Sequence, residues 1–337
     1  MDKDIHYYCV CVLAKAAGFS EADALTIGYA SQYVDDSTES EPIQVGKLLF
    51  DTVRTAYAGL KAYDWSVQKR IFIPFHFIPP QPISPSDAPF EFVTQADSPF
   101  ARRILAEARR GADDLLRLCR IGIAIHAYAD TWAHQGFSGR YHDENDVENI
   151  RVLRGGGWEH LFLENIYLDV LPEIGHAEAS HFPDLPFLEW ECERPSAARP
   201  LKRRNADAFF AAAKAVYAWL SRIGKTKPGA RTPWGEIAEP IRGLLAVEEY
   251  DAERRCQLWR DRFGGMFPRQ PLAYDRLAWR NDALEPANPS DTDWDASKPS
   301  DFGRLKFDMK RGFFKSPWVQ FHRAALRQRH FVLENLL

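Results

Sequence analysis

Residues 125–139 read IHAYADTWAHQGFSG, and three of them can bind a metal ion. His126, Asp130 and His134 recur every four residues, so on a helix all three project from one side. Neighbours at that spacing lie about 5–6 Å apart at Cβ. An imidazole and a carboxylate there can share a divalent cation at the ~2.0–2.2 Å distances zinc requires. Asp130 has two oxygens and can bridge to a second ion held by His134. The donor types suit zinc, with manganese, iron and nickel as alternatives. The competing reading is a polar stripe of internally hydrogen-bonded histidines. It is the weaker one, because three polar groups on an otherwise apolar helix are costly to bury without a cation.

The other histidines cluster in the same part of the chain. Eight of ten fall before residue 182: His6, His76, His126, His134, His142, His160, His176 and His181. Only His322 and His330 follow. A metal site draws ligands from several elements, and the N-terminal region offers them. ASQYVDD ends a helical segment with Asp35 and Asp36, at a terminus where an acid is unfavourable unless a cation lies beside it. His76 sits in PFHFIPP, and His6 opens the first helical segment. His160 and Glu164, in WEHLFLEN, share a helical spacing. His176, in EIGHAEAS, has Glu178, His181 and Asp184 nearby and stands in a glycine-adjacent turn. His142 lies in the acidic stretch RYHDENDVEN and reads as solvent-exposed.

The elements that must position these residues read as helices. Residues 5–17 recur apolar with helical spacing and stop at Gly18. Ser20 caps a second helix running towards Val34, with Asp23 in a box-like position. Residues 45–63 place Leu48, Leu49, Val53, Tyr57 and Leu60 on one face of a third. Seven prolines make 74–99 an irregular excursion, of the kind that is often functional. The longest helix spans 100–135 and is central and buried. Further helices are expected at 158–171, 206–223, 237–247, 249–263 and 318–336, with a proline-broken segment at 181–200 and a polar loop at 285–301. The expectation is an all-α fold, with a metal-binding helical domain at 1–200 and a helical extension at 201–337 packed on the same domain.

Composition narrows the function classes. Net charge is −4 and the pI is near 6.2, so there is no global attraction to nucleic acid or anionic lipid. The basic clusters Arg102, Arg103, Arg109, Arg110 and Lys202, Arg203, Arg204 read as solvated helix faces. The five cysteines, Cys9, Cys11, Cys119, Cys192 and Cys256, are scattered without a CxxC, which favours a reducing compartment. MDKDIHYY lacks a basic n-region ahead of an apolar run, and no window reaches the length of a transmembrane span. A cytoplasmic location is expected.

In order, ASQYVDD, HFIPP and HAYADTWAH resemble the helical superfamily of zinc-dependent phospholipases C and S1/P1-type nucleases. That superfamily includes the catalytic domain of glycosylphosphatidylinositol-specific phospholipase D. The chain is also similar to an uncharacterised bacterial family of this type with the same HYY, ASQYVDD, HAYADTWAHQGFSG and GHAEA segments. The resemblance covers roughly residues 1–185 and implies a multi-helix bundle with long irregular loops and three zinc ions. It implies that the first zinc takes Asp35, His76, His126 and Asp130, with Asp35 preferred over Asp36. A third zinc takes His6 and shares Asp130, together with the amine and carbonyl of the first residue, which places Met1 as a candidate. The second zinc takes His134 and a further histidine. His134 follows Asp130 by four residues, as in the phospholipase D type and unlike the six of the bacterial enzymes. His176 is favoured over His160 as its partner.

By the same resemblance the chemistry is phosphoester hydrolysis by a metal-bridged hydroxide, with Asp35 orienting or deprotonating the attacking water. The substrate would be a phosphoester such as a phospholipid head group. Two alternatives stay open: a nuclease or nucleotidase, for which nucleic acid is only a substrate, and a non-catalytic protein stabilised by its metals. Tyr33, Phe75, Phe77, Tyr128 and Trp132 can wall a pocket, although ordinary core packing explains most of them.

Overall fold

A computed structural model describes residues 1–337 apart from 40–41, 58–59, 82–91, 113, 155, 161–173, 198, 225–230, 289–305 and 337. The chain opens with a wide π-helical turn, Asp4–Cys9, that runs directly into α1 (Val10–Ala16). Helix α2 (Glu21–Asp36) starts where expected, the Ser20 hydroxyl accepting the Asp23 N–H at 3.1 Å. This cap satisfies one of the four orphan donors at a helix start.

The long helix expected at 100–135 is two helices, α5 (Pro99–Ala108) and α6 (Leu115–Ala133). Gly111, at φ +102°, breaks the run, and Asp114 restarts it by accepting the Arg117 N–H at 3.0 Å. Every residue of α6 from Cys119 to Ala133 is buried. Helices α2 and α6 approach closely because residue 122 has no side chain. A Cβ there would lie 2.4 Å from the Ile27 carbonyl oxygen and 2.7 Å from the Ala30 Cβ. This contact brings the C-terminal ends of α2 and α6 together.

The all-α expectation is overturned. Among the described residues there are two four-stranded sheets, so the fold is mixed α/β. The first has the order β2-β1-β8-β7, from β1 (Ile43–Val45), β2 (Leu48–Phe50), β7 (Leu284–Pro286) and β8 (Lys306–Met309). Here β1 and β8 run parallel and the other pairs antiparallel, so the sheet joins the two ends of the sequence. The second is wholly antiparallel, with order β4-β3-β5-β6, from β3 (Glu148–Arg154), β4 (Gly157–His160), β5 (Glu189–Glu193) and β6 (Leu201–Arg204).

Two expected helices fail for this reason. Residues 45–63 begin as a hairpin around Gly46, at φ +57°. Its Leu48 and Leu49 face outward, 48% and 74% exposed, instead of joining a helical face. Trp158, expected to begin a helix, pairs with Leu153 across β3 and β4. Residues 161–171 of that helix, Glu164 among them, lie outside the described residues. The 181–200 segment, read as proline-broken, contains β5, and 285–301 begins in β7. The strands are short, and their charged residues hid the alternation. In β5, Trp190 and Cys192 are buried on one side while Glu191, on the other, is held by Arg151 and Lys202.

The remaining helices are α3 (Trp65–Val67) and α4 (Ile73–Phe75), with α7 (Asn205–Ile223), α8 (Trp234–Leu245), α9 (Ala252–Phe263), α10 (Ala278–Ala283) and α11 (Pro317–Leu336). Helix α7 packs on α1 and α6, and α11 packs on α6. One large apolar core runs through these elements. A smaller one lies under the second sheet around Phe137 and Trp190. All five cysteines are free and buried. In the basic clusters, Arg203 departs from the solvated reading: it is buried and donates to the Trp132 and Gln135 carbonyls. No helix among the described residues is long and apolar enough to cross a membrane.

Candidate metal centre

The ends of α2 and α6, the π-helical turn, the segment after α4 and the turns before β5 meet at one cleft of about 900 Å³. Asp130 is its centre and is 1% exposed. Its Oδ1 lies 3.1 Å from the His6 Nε2 and 3.1 Å from the Met1 amine. Its Oδ2 lies 3.2 Å from the His126 Nε2 and 3.4 Å from the His76 Nδ1. Asp35 approaches from the end of α2, its Oδ1 3.5 Å from His126 Nε2 and 3.8 Å from His76 Nδ1. On the far side, the Asp184 carboxylate lies 3.3 Å from the His134 Nε2 and 3.4 Å from the His176 Nε2. The Met1 amine bridges the two regions, 2.9 Å from Asp184.

Three groups of donor atoms result: His6, His126 and Asp130; Asp35, His76 and His126; and His134, His176 and Asp184. Within each, the donor atoms all lie within 4.8 Å of one another. Each of the seven expected ligands, His6, Asp35, His76, His126, Asp130, His134 and His176, is in one of these groups.

The donor set fits divalent cations. Three histidines are oriented by a backbone carbonyl on one ring nitrogen, which leaves the other free to face the cluster. His76 Nε2 donates to the Thr55 carbonyl at 2.8 Å, His134 Nδ1 to the His76 carbonyl at 2.9 Å, and His176 Nδ1 to the Ser180 carbonyl at 2.8 Å. These tautomers follow from the hydrogen-bond geometry. A ligating histidine characteristically donates its second N–H in this way. The His76 Nδ1 lies 3.2 Å from the His126 Nε2, and although burial works downward, the Asp130 and Asp35 carboxylates beside it push His76 above the usual imidazole range. Two buried imidazole nitrogens at that separation need a proton or a cation between them.

The electrostatics point the same way. Burial pushes His6 down to about 4 and His126 well below the usual imidazole range, so both are neutral near pH 7. Burial also lowers His176. For Asp130 and Asp184 burial works upward, but the surrounding histidines and the Met1 ammonium outweigh it and hold both carboxyls well below their ordinary range. Neutral imidazoles and ionised carboxylates are the protonation states a metal requires. Burial would lower the Met1 ammonium, yet Asp130, Asp184 and Asp35 push it up to about 12. Asp35 differs. Its side chain is 34% exposed to the cleft, and the protein packed around it pushes its carboxyl well above the ordinary range.

Local structure explains several placements. Gly175, at φ +61°, lets the turn before His176 close against Phe77; a Cβ there would lie 2.4 Å from the Phe77 ring. Phe77 in turn stacks on His134, with centroids 4.6 Å apart. Of the five aromatics considered as walls, Phe77 lines the cleft. Tyr33 and Phe75 are buried in the main core, Trp132 is buried beside Tyr128, and the Tyr128 hydroxyl donates to Asp97.

The residues around His176 are also sorted. Asp184 joins the cluster, Glu178 accepts the Val147 N–H at 3.0 Å, and His181 faces Ser180 at the surface. His160 is on β4, not on a helix. His142 is 37% exposed, as its acidic surroundings suggested. Asp184 had no periodicity to single it out from Glu178 and His181.

The C-terminal residues at the cleft carried no sequence signal at all. Arg255 of α9 is 2% exposed and donates to Asp4 at 3.2 Å, to Asp2, and to the Glu249 and Tyr250 carbonyls. It pins the segment that carries Met1 and His6. Burial pushes Asp4 up to about 6 despite this partner.

A profile of a family of unknown function, DUF6765, matches residues 1–336. The chain belongs to this family. The match takes in both the histidine-rich segments and the C-terminal elements that close the cleft of this DUF6765 protein. Neither the curated proteins nor the solved structures yield a match.

Proposed function

We propose that this protein is a metal-dependent phosphoester hydrolase of the phospholipase C-like type, holding two or three divalent ions, with zinc favoured by the nitrogen and oxygen donors. The observation that carries this reading is that His126 belongs to two adjacent donor groups, with Asp130 facing ligands of both, beside an open cleft. A single structural ion would need only one closed group of ligands.

In this reading His6 and Asp130 hold one ion, Asp35, His76, His126 and Asp130 a second, and His134, His176 and Asp184 a third. Ions bound there supply Lewis acidity and an activated water for attack on phosphorus. The chain's own part is positional and protonic. The Thr55, His76 and Ser180 carbonyls fix three imidazoles. Asp35, at the cleft face of the cluster, has a second oxygen to orient the attacking water and accept its proton.

The test is elemental analysis of protein purified without a histidine tag, followed by assays on bis-p-nitrophenyl phosphate, phosphatidylcholine and single-stranded DNA. Two or three metals per chain with chelator-sensitive phosphodiester cleavage is the expected result. Preferential cleavage of single-stranded DNA would move the reading to a nuclease. One inert metal without turnover would make the protein a metal-stabilised scaffold.

A further inference from the structure

The cleft wall formed by the C-terminal third carries a cation with nothing to bind. Tyr274, Asp275 and Arg276 line the cleft, and this stretch is tied to N-terminal elements at three points. The Tyr7 hydroxyl donates to the Ala273 carbonyl at 2.7 Å, and the Tyr29 hydroxyl donates to the Asp275 carbonyl at 2.7 Å. The Tyr274 hydroxyl donates to Asp36 Oδ2 at 2.6 Å. The Tyr274 ring also lies 5.1 Å from that of Tyr7 and 4.8 Å from that of Tyr29. Aromatic and hydrogen-bond anchoring on this scale holds the backbone that leads into residue 276, so whatever that residue grips is met by a prepared surface.

Arg276 lines the cleft and is exposed. Among the described residues it makes no hydrogen bond or ion pair. The other charges along the wall are engaged. Lys3 pairs with Glu253, Asp2 is held by Arg255, and Asp275 Oδ1 accepts the Leu277 N–H at 2.9 Å. Asp36 accepts from Tyr274 and, at 3.2 Å, from the Gln32 amide. A guanidinium presents a planar fork of donors that matches phosphate oxygens two at a time. Arg276 lines the same cleft but belongs to none of the three donor groups, so it is free to meet a part of the substrate other than the phosphate the ions would hold.

We propose that Arg276 is a specificity-determining residue that binds a second phosphate, carried on the alcohol arm of a small phosphodiester substrate. The substrate class is then a phosphodiester with anionic charge beyond the bond that is cut, not a zwitterion ending in an ammonium. This rests on the hydrolase reading above and extends it to the substrate.

The experiment uses the metal-loaded full chain and three p-nitrophenyl phosphodiesters whose other alcohol arm ends in phosphate, hydroxyl or trimethylammonium. The wild type is expected to have its lowest KM for the phosphate arm. Arg276→Ala should raise that KM about tenfold, the loss of one charge-assisted contact. The KM for the hydroxyl arm, kcat and metal content should not change. Arg276→Lys should restore part of the preference. A wild-type preference for the trimethylammonium arm, or equal losses on all three substrates in Arg276→Ala, overturns the proposal. Calorimetric binding of glycerol bisphosphate to wild type and Arg276→Ala provides a readout that needs no turnover. If none of the three esters is cleaved, the hydrolase reading fails, while about tenfold weaker binding in the variant still supports Arg276 as the phosphate grip. Equal binding by both proteins overturns it.

Discussion

The two halves of the candidate metal centre are built differently. The inner half, around His126 and Asp130, rests on α6 and the end of α2, where side chains are fixed by helical geometry and His126 and Asp130 are at most 1% exposed. The outer half pairs His134, which sits just past the end of α6, with His176 and Asp184 from the turns before β5. His176 and Asp184 are 17% and 18% exposed. A ligand on a buried helix inherits its position from the core, so disturbing it disturbs the fold. A ligand on a turn is held by a few local contacts, here the Ser180 carbonyl and the Gly175–Phe77 packing. The inner half should therefore couple metal binding to stability, and the outer half should not.

Asp130→Asn breaks the comparison at its centre and has the largest expected effect. Metal should be lost from both inner groups, and phosphodiester cleavage should fall by more than the ~10–100-fold typical of a residue that only orients a ligand. Chelator should then shift the melting temperature of the wild type but hardly that of the variant, since a ligand stabilises only the protein that binds it. Elemental analysis and thermal denaturation in parallel check this.

Asp184→Asn tests the outer half alone. It should remove one metal equivalent while the others stay bound. Loss of every metal in this variant would mean that the two halves assemble as one.

Gly122→Ala probes the packing that aligns the inner half without touching a ligand. Its Cβ would meet the Ile27 carbonyl oxygen at 2.4 Å. Overpacking of this kind costs about 1–3 kcal/mol, read as a lower urea midpoint with an unchanged slope. An unchanged midpoint would show that the helices separate freely, and the alignment argument would fail.

The smallest effect is on pH dependence and uses a histidine outside both halves. His322 of α11 accepts the Val53 N–H at 3.0 Å, and burial pushes it down to about 3. Its folded form resists protonation while the unfolded chain titrates near 6.5. The contribution is present in full above about pH 6.5 and lost as pH falls from there towards 3, with a limiting slope of about 1.4 kcal/mol per pH unit. In His322→Gln the acid-side slope of stability should be shallower by up to that amount. An identical slope in the two proteins, measured by denaturation between pH 7 and 5 in chelator, would remove His322 as its source.

Much of the inner half was legible in the sequence. His126, Asp130 and His134 share a face because helical periodicity is a local property, and the Ser20 cap of α2 is equally local. The convergence of His6, Asp35 and His76 on that face was expected from the resemblance, and short motifs in a fixed order were enough to suggest it. The sheets were less legible. In strands of three to seven residues such as β1 and β3, the alternation is brief and the charged members are partnered across the sheet.

What the sequence by itself determined, then, is which residues carry metal-binding chemistry and which helices present them, because both depend on neighbours within a turn or two. Only the tertiary structure decided that Asp184 rather than Glu178 or His181 faces His176, that β8 returns to pair with β1, that Arg255 holds Asp4, and that Tyr274, Asp275 and Arg276 line the cleft. Those choices depend on contacts between residues far apart in the chain, such as Asp4 and Arg255, 251 positions apart. Such contacts are fixed by packing and charge pairing in the folded chain, which leave no period along the sequence.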